Sequence, residues 1–191
     1  MKIIAISKQI LAGKYDTLQE VIDSNWGKLL DTLNFFPLYL PIYYDFRKLH
    51  FDGLILTGGG NLYKISDKIE DEIRDNFENS LMDFCIKRNL PIFGVCRGMQ
   101  LINCYFRGTL QKIDNHVGKQ HILSDGRRLN SYHNYTIDKL GNGLKIVDLY
   151  ENTIESIRHI SHKIFAQMSH PERNDPFSEY DVKFLKDFFD A

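Results

Sequence analysis

The chain has 191 residues, 43% hydrophobic and 13% aromatic, enough for a sizeable core within one domain spanning 1–191. Its 24 Lys and Arg against 25 Asp and Glu leave a net charge of −1, with no basic run dense enough for a nucleic-acid footprint. Five Pro and 13 Gly exclude collagenous and low-complexity classes.

Lys2 to Ile6 reads as a short buried strand, too short for a signal peptide. Thr17-Leu18-Gln19-Glu20 has capping-box spacing, and Leu18, Val21, Ile22, Leu29, Leu30 and Leu33 recur at helical intervals, which predicts a helix from residue 18 onward. Pro37 to Ile42 reads as a strand or extended segment, and Leu54-Ile55-Leu56 as a buried strand stopped by Thr57-Gly58-Gly59-Gly60. Ile69, Ile73, Phe77, Leu81 and Phe84 step by three or four, the mark of an amphipathic helix. Pro91 to Val95 is a strand, and Arg97 to Phe106 a helix ended by Arg107-Gly108. Residues 109–162 hold short strand-like pieces split by Gly118, Gly126, Gly141 and Gly143. Ile164 to Met168 reads as a further strand, and Val182, Leu185, Phe188 and Phe189 mark a closing helix. Alternating strands and helices predict an α/β fold with a doubly wound, mostly parallel central sheet and small added strands in 109–162.

No stretch approaches the roughly 20 apolar residues that span a bilayer, so no membrane contact is expected. Three cysteines, an odd count, predict reduced thiols in the cytoplasm rather than a disulfide framework. Cys85 and Cys104 fall at core-like helical positions. Cys96 does not. It lies in Gly94-Val95-Cys96-Arg97-Gly98, between a strand and a helix, with the shape of a nucleophile elbow carrying Cys in place of Ser. A cysteine there sits at a helix N-terminus, where free N–H groups and the dipole favour thiolate. The Arg97 N–H can donate to an oxyanion, and Thr57-Gly58-Gly59-Gly60, at the same edge of the sheet, can supply a second donor. No Gly-Lys-Ser/Thr follows those glycines, so they are not a phosphate loop. His170, in Ser169-His170-Pro171-Glu172-Arg173, follows the last strand and is the candidate base, with Glu172 positioned to orient its ring. His116 and His121 lack a third ligand at suitable spacing and read as solvated loop histidines; no metal or cofactor is expected. The aromatic pairs Phe35-Phe36, Tyr43-Tyr44 and Phe188-Phe189 read as packing.

Together, the Thr57–Gly60 turn, Pro91 to Gln100 and Ser169 to Arg173 closely resemble the class I glutamine amidotransferase-like superfamily, of flavodoxin-like architecture. The stand-alone γ-glutamyl hydrolases of the γ-glutamyl-γ-aminobutyrate hydrolase type resemble the chain most. Gly108-Thr109-Leu110-Gln111, His116-Val117-Gly118 and Asn130-Ser131-Tyr132-His133 are similar to segments of those enzymes in the same order. The resemblance implies a Cys96-His170-Glu172 triad acting on a small-molecule γ-glutamyl amide, with the oxyanion held by Gly59, Gly60 and Arg97. It implies glutamyl binding by Gln100 and the main chain around Ser131 and Tyr132, with His133 near the pocket. The chain departs from the hydrolases in its shorter length, in Asn134-Tyr135 after His133, and in Lys8-Gln9 where an Arg often stands. A short member of this pattern also resembles the hydrolases of capsule phosphoramidate synthesis, which implies a nucleotide phosphoramidate such as CDP-amidate as leaving group. Lys64, Arg97, Lys119, Arg127 and Arg128 are the candidate charges for it. The same triad would serve a glutaminase subunit feeding ammonia to a synthetase partner, and the same scaffold a non-catalytic binding protein; the lone hydrolase is the favoured reading.

Overall fold

The computed structural model describes residues 1–190. The chain runs through β1 (Ile3–Ile6), β2 (Gln9–Ala12), β3 (Leu18–Val21), α1 (Asn25–Thr32), β4 (Phe36–Tyr39), β5 (Gly53–Leu56), α2 (Tyr63–Ser66), α3 (Ile69–Lys87), β6 (Ile92–Val95) and α4 (Arg97–Tyr105). It continues through β7 (Thr109–Lys112), β8 (Val117–Ile122), β9 (Arg128–Tyr132), β10 (Tyr135–Lys139), β11 (Leu144–Tyr150), β12 (Thr153–His159), β13 (Ile164–Gln167) and α5 (Glu179–Asp190).

Seven strands form the central sheet in the order β11-β12-β13-β6-β5-β1-β4. Five of them, β4-β1-β5-β6-β13, are mutually parallel. Counted along the chain, their order is 2-1-3-4-5, the flavodoxin-like doubly wound arrangement. All residues of β5 and β6 are buried, as helices on both faces require. Alternation along the strands sends Leu54, Leu56 and Ile92 to one face, against Leu81, Met82 and Cys85 of α3 and Met99 and Ile102 of α4. Ile4, Ile6, Ile55, Phe93 and Val95 face the other way, against Trp26, Leu29 and Leu30 of α1 and Leu185 and Phe189 of α5. Pro37, which has no N–H to give a ladder, sits in the edge strand β4. Among the described residues no helix is long and apolar enough to cross a membrane.

Two expectations fail. Residues 18–21 are not the start of a helix: β3 pairs antiparallel with β2, and α1 begins at Asn25. The two capping-box side chains are engaged elsewhere. The Thr17 hydroxyl donates to the Lys14 carbonyl at 2.7 Å, and Glu20 reaches Lys8 at 2.7 Å. Nor are all the strands of 109–162 minor additions. While β7–β10 form two small two-stranded sheets, the seven-residue β11 and β12 extend the central sheet antiparallel beyond β13. β11 is an exposed edge with two register shifts, so its sequence shows no clean alternation.

Candidate active site

Parallel pairing brings the chemistry together. β5, β6 and β13 are neighbours in register, with Leu56 opposite Gly94 and Val95 opposite Gln167. Their carboxyl ends therefore deliver the Thr57–Gly60 turn, Cys96 and His170 to one edge, where ligands bind in open α/β sheets. Cys96 takes φ 52°, ψ −103°, the strained conformation of an elbow, and its N–H donates to the Gln167 carbonyl at 2.8 Å. The elbow's glycines are sterically required. A Cβ on Gly98 would lie 2.2 Å from the Leu56 carbonyl oxygen, and one on Gly94 would lie 2.6 Å from the Ile102 side chain.

His170 is 1% exposed and its Nδ1 donates to Glu172 Oε1 at 2.7 Å. Pro171 opens a short 3-10 turn that carries Glu172 back beneath the ring. Burial works against the imidazolium, but hydrogen bonds with Cys96 and Glu172 and the charges of both outweigh it and raise His170 to about 9. The ring is thus set to hold a proton beside Cys96.

The glycine turn is held from behind by a side chain that sequence reasoning passed over. Arg74 on α3 donates to the carbonyl oxygens of Gly59 (2.6 Å), Thr57 (2.8 Å) and Gly58 (3.1 Å). With those carbonyls turned inward, Gly59 and Gly60 adopt φ +83° and +72°. Arg74 and Arg97 share the buried carboxylate of Glu78, and Arg97 also binds Asp75 and the Asn61 carbonyl. Burial opposes the charge on Glu78, yet the two guanidiniums hold its carboxyl below the usual range. Burial and the nearby Arg97 in turn push Arg74 down to about 10. One network therefore connects the glycine turn to Arg97, the residue after Cys96.

Asn130, on β9, clamps the His170 main chain. Its Oδ1 accepts from the His170 N–H at 2.7 Å and its Nδ2 donates to the His170 carbonyl at 2.8 Å. The only sequence signal was its place beside Ser131 and Tyr132.

A cavity of about 120 Å³ opens over Cys96, walled by Gly59, Gly60, Gln100, Tyr132, His133, Asn134, Tyr135, His170 and Arg173 among others. Gln100, 4% exposed, donates to the Tyr135 carbonyl at 3.1 Å. The Tyr132 ring meets His170 edge-on at 5.7 Å. Ser131 does not line this cavity, and its hydroxyl donates to the His116 carbonyl instead. A second cavity of about 250 Å³, on the Gln9 and Trp26 side of His170, shares Gly59, His170 and Arg173 with the first.

None of the five proposed leaving-group charges lines the Cys96 cavity. Arg97 is consumed by Glu78 and Asp75, and Arg127 by Asp125 and Asp148. Lys64 donates to Cys104 Sγ at 2.8 Å beside a separate cavity, while Lys119 and Arg128 are exposed on the β8–β9 hairpin. The cation at the site is Arg173, stacked over Tyr132 and about one-third exposed. Burial pushes the Cys85 thiol up to about 12 and also raises Cys104, so neither competes as a nucleophile. His121 is not solvated: it is 2% exposed and bonded to Glu155.

Residues 2–128 match the family model of Peptidase C26. The chain is 32% identical over 195 residues to a gamma-glutamyl-CDP-amidate hydrolase of Campylobacter jejuni, covering 97% of this chain and 96% of the relative. It is 29% identical over 171 residues, 72% of each chain, to the glutamine amidotransferase-like protein YvdE of Lactococcus lactis. A glutamine amidotransferase structure from Thermotoga maritima superposes with a TM-score of 0.66 at 14% identity, covering 99% of this chain and 84% of that one. Its likeness concerns the fold.

Proposed function

The chain belongs to the Peptidase C26 family, and from that premise we propose that it hydrolyses a γ-glutamyl amide through a γ-glutamyl thioester, with Cys96, His170 and Glu172 as the triad. The observation that carries the reading is His170, hydrogen-bonded to Glu172 and lining one cavity with Cys96 at the ends of the adjacent parallel strands β13 and β6. Cys96 Sγ attacks the γ-carbonyl carbon. The oxyanion takes hydrogen bonds from the Arg97 N–H, the first of α4 and so without an acceptor in its helix, and from the Gly59-Gly60 turn. As the C–N bond breaks, His170 Nε2 delivers its proton to the leaving nitrogen. Neutral His170 then takes a proton from water, which attacks the thioester carbonyl; glutamate departs and the thiolate is restored. Glu172 keeps the proton on Nδ1 during the neutral phase. Gln100 and the main chain from Tyr132 through Tyr135 hold the glutamyl head.

The leaving group is a nucleotide phosphoramidate. Support comes from the Campylobacter relative, described as acting on gamma-glutamyl-CDP-amidate, and from Arg173, which borders both cavities.

Glutamate release from γ-glutamyl phosphoramidates and simple γ-glutamyl amides tests the reading. Cys96→Ala should lose turnover by several orders of magnitude, and Arg173→Ala should raise KM for the phosphoramidate alone. Near-native turnover by Cys96→Ala would overturn the triad, and equal KM changes on both substrates would remove the phosphoramidate assignment.

A further inference from the structure

Beside the Cys96 cavity lies a cluster of side chains for which the hydrolytic chemistry has no use. His121 on β8, His133 between β9 and β10, and Glu155 on β12 are 2%, 2% and 0% exposed. One ligand atom from each lies within 4.8 Å of the others. His116 completes the group, its ring centroid 4.8 Å from that of His121 and 5.2 Å from that of His133.

The hydrogen bonds fix which atoms face inward. His116 Nδ1 lies 3.0 Å from the Asp114 carbonyl, and His133 Nδ1 lies 3.2 Å from the Tyr135 carbonyl. A carbonyl only accepts, so each Nδ1 carries the proton and each Nε2 presents a lone pair. Both Nε2 atoms are buried without a partner, and so is Glu155 Oε2. The other Glu155 oxygen is occupied by the Thr153 hydroxyl at 2.9 Å and by His121 Nδ1 at 3.0 Å. Two of these unsatisfied acceptors, His133 Nε2 and Glu155 Oε2, belong to the cluster itself, and His116 Nε2 lies beside it; one cation satisfies the cluster's two lone pairs together. Backbone or carboxylate support for the distal ring nitrogen is also the usual second layer behind metal-bound histidines.

We infer that His121, His133 and Glu155, with His116 beside them, bind one divalent transition-metal ion that replaces the proton shared by His121 Nδ1 and Glu155 Oε1, zinc being the best match to imidazole and carboxylate ligands. The ion joins the β8–β9 sheet and the turn after it to β12 of the central sheet, which otherwise belong to separate sheets. Because His133 also lines the Cys96 cavity, the ion fixes the wall against which the glutamyl head is held. Its role is structural, and the inference does not depend on the hydrolase reading.

The test is metal binding by the full chain, stripped with a chelator and titrated with Zn²⁺ alone and Co²⁺ alone, read by bound metal, visible absorption and melting temperature. Cys96→Ala runs in parallel, since a thiolate beside His170 can capture zinc on its own. The expected result is one ion per chain in both proteins, Co²⁺ bands of four-coordinate geometry without thiolate charge transfer, and a raised melting temperature. Glu155→Gln and His133→Asn should each weaken Zn²⁺ binding by at least about tenfold. Loss of binding in Cys96→Ala, or no stoichiometric binding, would overturn the site. Should both ligand variants fail to fold, the Co²⁺ spectrum of Cys96→Ala decides alone: four-coordinate bands support the site and their absence refutes it.

Discussion

Gly58 stands between Cys96 and His170, the two proposed reacting side chains, and adding one methyl there tests the geometry directly. An ideal Cβ would lie 2.6 Å from His170 Cε1, 3.4 Å from His170 Nε2 and 3.4 Å from Cys96 Cβ. Carbon atoms rest at about 3.5–4.0 Å, so His170 and the turn must separate by roughly 1 Å. The histidine has little freedom to comply, because Asn130 holds its main chain at 2.7 and 2.8 Å and Glu172 its ring at 2.7 Å. Gly58 is not left-handed, so alanine brings no backbone strain of its own and the effect is steric. A 1 Å misplacement of a catalytic group costs about 10²-fold in rate, equivalent to about 2.7 kcal/mol of barrier. Gly58→Ala should therefore lose about two orders of magnitude in kcat for γ-glutamyl amide hydrolysis. Its thermal unfolding should stay close to that of the parent, which separates misplacement from unfolding. An unchanged kcat in a folded variant would refute the placement of His170 over the nucleophile.

Glu172→Gln removes the carboxylate charge that helps raise His170 to about 9, while its amide oxygen can still accept from Nδ1. The protonated acid is present below that pKa and lost as pH rises through it, so the alkaline limb of the pH–rate profile should move down toward the ordinary imidazole value of about 6.5. The rate should fall less than in Cys96→Ala, since the nucleophile remains; an unmoved limb would detach Glu172 from the histidine. Asn130→Ala leaves the ring partners intact but frees the His170 main chain, and should lower kcat by about tenfold with little change in KM; a KM effect alone would assign Asn130 to substrate binding instead. Arg74→Lys keeps a cation beside Glu78 but cannot span three carbonyls, so oxyanion support should weaken and kcat fall by about tenfold or more. Equal kcat in both proteins would mean that the glycine turn holds its shape unaided.

What the sequence reveals is what lies close along the chain. The elbow is a strand, a turn and a helix within residues 91–106, and its glycines are read from local sterics. His170 and Glu172 are separated by a single proline. The remaining parts of the site are contributed across long separations. Asn130 is 40 residues from His170, and Arg74 is 17 from Thr57 on a helix whose charged residues look solvated in one dimension. His121 and Glu155, 34 residues apart, meet because two unrelated strands cross, so the histidines resemble loop residues until the sheets are assembled. The hairpin β2–β3 fails for the opposite reason: a local capping pattern is overruled by pairing with a strand that lies ahead of it.

The central claim, a thioester on Cys96, is tested most directly by partitioning. Hydrolysis of several γ-glutamyl amides with different leaving groups is run in hydroxylamine, and γ-glutamyl hydroxamate and glutamate are measured together. A common acyl-enzyme predicts one hydroxamate-to-glutamate ratio for every leaving group, since the leaving amine has departed before water and hydroxylamine compete. A ratio that changes with the leaving group, or hydrolysis with no hydroxamate formed, would contradict it.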